Sequence, residues 1–100
     1  MVVLINKEIM NSDVLRDAID IFGIDAQKKM AIEECAELIN ALVKEYRGRT
    51  SEDDVITELA DVSIMVEQLA IFYGYEKFLD ERKNKMERLN ERILKHKIIK

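Results

Sequence analysis

Five acidic residues in two short clusters are the side chains of this sequence whose type and spacing suit chemistry. One cluster is Glu33-Glu34-Cys35-Ala36-Glu37 and the other is Glu58-Leu59-Ala60-Asp61. On helices, Glu34 and Glu37 share a face, as do Glu33 and Glu37, and so do Glu58 and Asp61, because residues three or four apart are helical neighbours. Like charges so placed repel by roughly 0.2–0.5 kcal/mol per pair on an isolated helix. The cost is larger for Glu58 and Asp61, since twelve of the eighteen residues from Val55 to Phe72 are apolar and unpaired charge is expensive in such surroundings. A cation is expected to compensate. Four or five converging carboxylates suit Mg²⁺ or Mn²⁺, hard ions that take oxygen ligands and keep some of their water. Two plainer readings stand beside this one. The first cluster can be a solvated acidic face, and Glu58 and Asp61 can pair with Lys or Arg of a later helix or lie at the rim of the core.

Other chemistries are poorly supplied. Cys35 is the single cysteine and His96 the single histidine of 100 residues. That excludes an intrachain disulfide, a cysteine zinc cage and an HExxH centre. A di-iron carboxylate bundle calls for two Glu-x-x-His motifs. Cys35 and Met65 read as core packing, and His96 is assigned no role.

The elements that must position the acids are helices. There is no Pro, and the three glycines, Gly23, Gly48 and Gly74, each close a helical pattern, as glycine does just past a helix end. The pattern predicts helices over Ser12 to Phe22, Asp25 or Ala26 to Arg47, after Ser51 to Tyr73, and Tyr75 to about Ile98, with residues 2–9 extended or frayed. Asp25 is the expected N-cap of the second helix, and Ser51 with Asp54 forms a capping box for the third. Short connections make consecutive helices antiparallel neighbours. The second helix gathers Ile32, Cys35, Leu38, Ile39, Leu42, Val43 and Tyr46 on one arc, with Glu33, Glu34, Glu37 and Lys44 opposite. In the fourth, Leu79, Met86, Leu89 and Ile93 form a narrow stripe expected to face inward. The third is apolar nearly all round, the pattern of a buried helix. A domain this small covers one such face with its own chain and needs a second subunit for the other, so a homodimer or homotetramer is expected. The whole chain, 1–100, reads as one all-α domain.

Net charge is −4, with −8 in residues 1–75 and +4 in residues 76–100. An acidic body is not the mark of a nucleic-acid binder. It suits a small polyanion held by metal on one side and by Lys or Arg on the other. Lys85 and Arg88, with Arg92 beyond, are candidates to contact phosphate or form a solvated basic face, and Lys44 can do the same or neutralise Glu37. Tyr73 and Tyr75 can stack on a base or pack. No apolar run approaches the roughly 20 residues of a membrane span. The opening MVVLINKE lacks the basic n-region and cleavage site of a signal peptide. A cytoplasmic protein without a membrane partner is expected.

EECAEL at 33–38 and ELAD at 58–61, with twenty residues between Glu37 and Glu58, resemble the EExxE…ExxD signature of the all-α nucleoside triphosphate pyrophosphohydrolases, the MazG-like superfamily. Gln27, Met30, Leu38, Ala41, Lys44 and KMERLNERI at 85–93 extend the likeness over residues 23–93, closest to the short single-domain phage and bacterial type. The resemblance implies a four-helix MazG-like bundle of antiparallel helices completed by oligomerisation. It also implies Mg²⁺-dependent hydrolysis of a nucleoside or deoxynucleoside triphosphate to monophosphate and pyrophosphate, a housecleaning of the nucleotide pool. By position, Glu34, Glu37, Glu58 and Asp61 are then the metal ligands and Glu33 matches the extra leading acid. Glu33 or Glu37 is the expected proton acceptor, and Lys44, Lys85 and Arg88 are the expected substrate contacts. Two other functions fit the same residues: a non-catalytic helical interaction module, and a phosphoribosyl-ATP pyrophosphohydrolase on the same fold.

Overall fold

The computed structural model describes the backbone of residues 2–99 and the side chains of residues 12–98. Four helices follow one another: α1 (Val2–Phe22), α2 (Ile24–Tyr46), α3 (Glu52–Tyr73) and α4 (Tyr75–Ile99), with no strand among the described residues. The stretch 2–9 belongs to α1 and is not extended. No Gly or Pro precedes Gly23, so nothing in the sequence stops the helix from continuing backward.

Gly23 and Gly74 each join two helices as a single residue. The Gly74 N–H donates to the Ala70 carbonyl at 2.9 Å, and the Gly74 carbonyl accepts from the Phe78 N–H at 3.0 Å. Its φ of 131° lies where side chains are strained, which is why glycine stands there. Gly23 does the same between Ile19 and Gln27. It is therefore Gly23, not Asp25, that caps α2, and Asp25 sits in the first turn, where its charge favours the helix N-terminus. Ser51 is the N-cap of α3 but makes no side-chain capping bond. Asp54 instead accepts a hydrogen bond from the Thr50 hydroxyl.

The inner face of α2 differs from the expected one. Gln27, Ala31 and Ala41 are buried, with Glu34 and Leu38 half-buried between them. Their spacing of four, three, four and three is that of one helical stripe. Ile32, Cys35, Ile39, Leu42, Val43 and Tyr46 face outward, and Tyr46 is 90% exposed. Small Ala31 and Ala41 let α3 approach α2 closely, since interaxial distance follows the side chains at the contact. The larger apolar residues are left on the outside. Cys35 is accordingly exposed, whereas Met65 is in the core as expected.

Among the residues whose side chains are described, Leu15, Ala31, Ala41, Met65 and Ala70 are the buried apolar ones, joined by two buried amides, Gln27 and Gln68. Gln68 is fully enclosed and donates through Nε2 to the Leu15 carbonyl at 3.2 Å, which ties α3 to α1. α1 packs on both α2 and α3, while among the described residues α4 touches only α3. From Leu79 to Ile98 every residue of α4 is exposed, so the Leu79, Met86, Leu89 and Ile93 stripe does not face inward within one chain. The Cα radius of gyration is 17.2 Å, against about 13 Å for a compact chain of this length. No described helix is long and apolar enough to cross a membrane.

Candidate metal centre

The stripe that packs α2 on α3 carries Glu34 into the helix–helix seam, and Glu37 follows at its edge. Glu58 and Asp61, half-buried on α3, meet them from the other side. Single oxygens of Glu34, Glu37 and Glu58 lie within 4.8 Å of one another. Asp61 lies against Glu34, and Glu37 against Glu58. Two carboxylate oxygens, Oε2 of Glu34 and Oε2 of Glu58, are shut from solvent without a hydrogen-bond partner.

The electrostatics follow from that crowding. Burial pushes the Glu34 carboxyl above its ordinary range, and the charges of Glu37, Asp61 and Glu58 push it further. Glu58 is raised in the same way, first by burial and then by Glu37, Asp61 and Asp54. Every charged neighbour that shifts either group is another carboxylate. A set of acids so arranged can hold a hard cation, because the ion would satisfy the orphaned oxygens and reverse the repulsion together.

A cleft of about 280 Å³ opens beside the acids, walled by Glu37, Asn40, Lys44, Thr50, Asp54, Thr57 and Glu58 among others. Lys44 thus stands on the same wall as Glu37. Asn40 and Thr50 also wall the cleft, together with Asp54, which the sequence pointed to only as a capping residue. Asn40 is three beyond Glu37 on α2 and Asp54 four before Glu58 on α3, whereas Thr50 reaches the cleft from the connection between the two helices. Glu33 is exposed and is not one of the three convergent carboxylates. Lys85 and Arg88 line a different groove, on α4, with Glu91, Arg92 and Lys95, and no α4 residue walls the acidic cleft.

The aromatic residues at the α3–α4 junction are engaged with one another. Tyr73 meets Phe72 edge-on at 5.1 Å between centroids, and Lys28 Nζ stands 5.2 Å from the Tyr73 ring. Tyr75 packs near Phe78 at 6.1 Å. Compared with known proteins, the chain matches no family model, no curated protein and no solved structure.

Proposed function

We propose that this chain is a Mg²⁺-dependent hydrolase that cleaves a nucleoside or deoxynucleoside triphosphate to the monophosphate and pyrophosphate, on a MazG-like bundle. The observation that carries this reading is the convergence of Glu34, Glu37 and Glu58 with two orphaned oxygens and no cationic side chain among the groups that shift them. A purely structural acidic face would keep its carboxylates apart and in water. An antiparallel pairing of α2 with α3 fits the contacts, which join residue 28 to 73, 34 to 61 and 37 to 58.

Glu34, Glu37, Glu58 and Asp61 would hold the ion. When bound, Mg²⁺ supplies Lewis acidity toward a phosphoryl oxygen and lowers the pKa of water. The chain's own residues divide the remaining work. Glu37 combines a place in the acidic cluster with an edge on the cleft, so it is better placed than Glu33 to accept a proton from the attacking water. Lys44, on the cleft wall, would contact a phosphate oxygen and offset its charge. Oxygen of water bonds to phosphorus as the phosphoanhydride bond joining the monophosphate to pyrophosphate breaks, and the water's proton passes to the carboxylate. The acids alone would repel a triphosphate, which is why a cation belongs between them.

The exposed apolar residues of α2, α3 and α4 favour a homo-oligomer, and the acidic body disfavours nucleic acid as a partner. We place the protein in the cytoplasm on its composition. If it lacked turnover, those same apolar faces would make a helical interaction module the better reading. Release of pyrophosphate from a panel of nucleoside triphosphates, with Mg²⁺ and with EDTA, tests the proposal.

A further inference from the structure

The cleft beside the acids holds about 280 Å³, less than the roughly 300–1,000 Å³ of a pocket that encloses a drug-sized ligand. It takes part of a substrate, and its walls indicate which part. Thr57 donates its hydroxyl proton to the Asp53 carbonyl at 3.0 Å, and Thr50 donates to Asp54 Oδ2. Both hydroxyls are left with lone pairs for a ligand. Asp54 accepts only, and the Thr50 bond on Oδ2 steadies the carboxylate and leaves Oδ1 for a ligand. From α2, Asn40 adds an amide that both donates and accepts. Glu52 and Asp53 share the first turn of α3 with Asp54, where any acid favours the helix end, but of the three only Asp54 walls the cleft. A wall rich in acceptors and carrying this extra negative charge suits neutral donors, which are hydroxyls, and repels phosphate. No aromatic ring is among the described residues of the wall. Tyr73 stands sixteen residues beyond Thr57 on α3, about 24 Å along the helix, so a base has no ring to stack on here. Asp54 lies four residues before Glu58 and Asn40 three after Glu37, about 6 and 4.5 Å along their helices. That is one turn from the acidic cluster, the reach from a phosphate held there to the hydroxyls of its own sugar.

We propose that this cleft is a ribose subsite, in which Asp54 and Asn40 bind the vicinal 2′- and 3′-hydroxyls of a ribonucleoside triphosphate whose phosphates lie at the acidic cluster. The inference rests on the hydrolase reading above and narrows it: the chain selects a ribonucleotide over its 2′-deoxy form. A carboxylate accepts from the hydroxyls of a diol, as an acidic side chain does from ribose in dinucleotide sites. Lys44, on a flexible four-carbon stem, turns from the same wall to the phosphates. A substrate without the 2′-hydroxyl forfeits a charge-assisted hydrogen bond, a loss of roughly 10–100-fold in kcat/KM.

Pyrophosphate release in Mg²⁺ from matched pairs, each ribonucleoside triphosphate against its 2′-deoxy form, tests the subsite. The parent should favour the ribo member by roughly 10–100-fold in kcat/KM with every base it cleaves. Asp54→Ala and Asn40→Ala, both at exposed positions, should stay helical by circular dichroism and bring the ratio toward one by slowing the ribo substrate. Asp54 also adds to the repulsion on Glu58, but relief of that repulsion acts on both members of a pair and cancels in the ratio. A parent that cleaves both members equally or favours the deoxy form, or variants that both keep the parental ratio, would overturn the ribose subsite and leave the hydrolase reading standing. A parent that cleaves no triphosphate would reject the hydrolase reading and the subsite with it.

Discussion

Glu37 of α2 lies against Glu58 of α3, and an oxygen of each stands within 4.8 Å of an oxygen of Glu34. Three acids from two helices meet in the seam between those helices. Without a cation the fold holds them together against their repulsion. The stability of the bundle and its affinity for a cation are therefore two readings of the same site.

Titration exposes the first. Glu34 and Glu58 hold their protons above the ordinary 4.5 in the folded chain, chiefly through burial and then through neighbouring acids. A carboxyl with a raised folded value supports the fold fully below its unfolded value, and that support is lost as pH rises through the raised value. In EDTA, Glu58→Gln should therefore melt higher than the parent by a margin that is small near pH 4 and widens toward pH 7. Thermal melts followed by circular dichroism would show this. A margin independent of pH would mean that Glu58 ionises as a solvated carboxylate.

Cation binding exposes the second. A ligand present at a hundred times its Kd adds about 2.7 kcal/mol to the native state, and each kcal/mol moves Tm by roughly 4–8 °C in a domain this size. Millimolar Mn²⁺ or Mg²⁺ should raise the parent's Tm. Glu34→Gln with Glu58→Gln should abolish the rise, and Glu67→Gln should keep it. A full response in the double variant would place the cation elsewhere.

Gln68 tests the packing that holds the site. Its enclosed amide ties α3 to the Leu15 carbonyl of α1, while its own Oε1 has no partner. Gln68→Ala loses the bond and leaves a cavity, at a cost of about 2–4 kcal/mol. Gln68→Leu fills the space and removes the orphaned oxygen, so it should cost less. Urea denaturation of both variants would decide it, and equal losses would contradict this assignment of the cost.

Four helices and their glycine joints were legible in the sequence because backbone preference is local: Gly23 and Gly74 stand at single-residue joints. Facing was less legible. The hydrophobic arc of α2 points outward because Ala31 and Ala41 permit a closer approach to α3 than Ile32 or Ile39 would. Pattern counts hydrophobicity and does not weigh fit. The acid pairs were readable from three-residue spacing, and their convergence was the expected consequence of packing α2 on α3. Asn40, Thr50 and Asp54 entered the cleft through contacts between elements, which spacing on one helix does not announce by itself. Lys85 and Arg88 were expected near phosphate, but the splay of α4 keeps them off the cleft wall of their own chain.

The central claim is tested most directly by pyrophosphate release from nucleoside triphosphates in Mg²⁺, comparing the parent with Glu58→Gln. Glu45→Gln and Glu67→Gln serve as controls, since both residues are exposed and lie outside the cluster. The parent and both controls should hydrolyse at least one triphosphate, and EDTA should stop them. Glu58→Gln should remain folded and lose about 10²–10³-fold in turnover, the scale on which a transition-state electrostatic contact is lost. Turnover by Glu58→Gln equal to the parent's on every triphosphate cleaved would contradict a catalytic role for the acidic cluster.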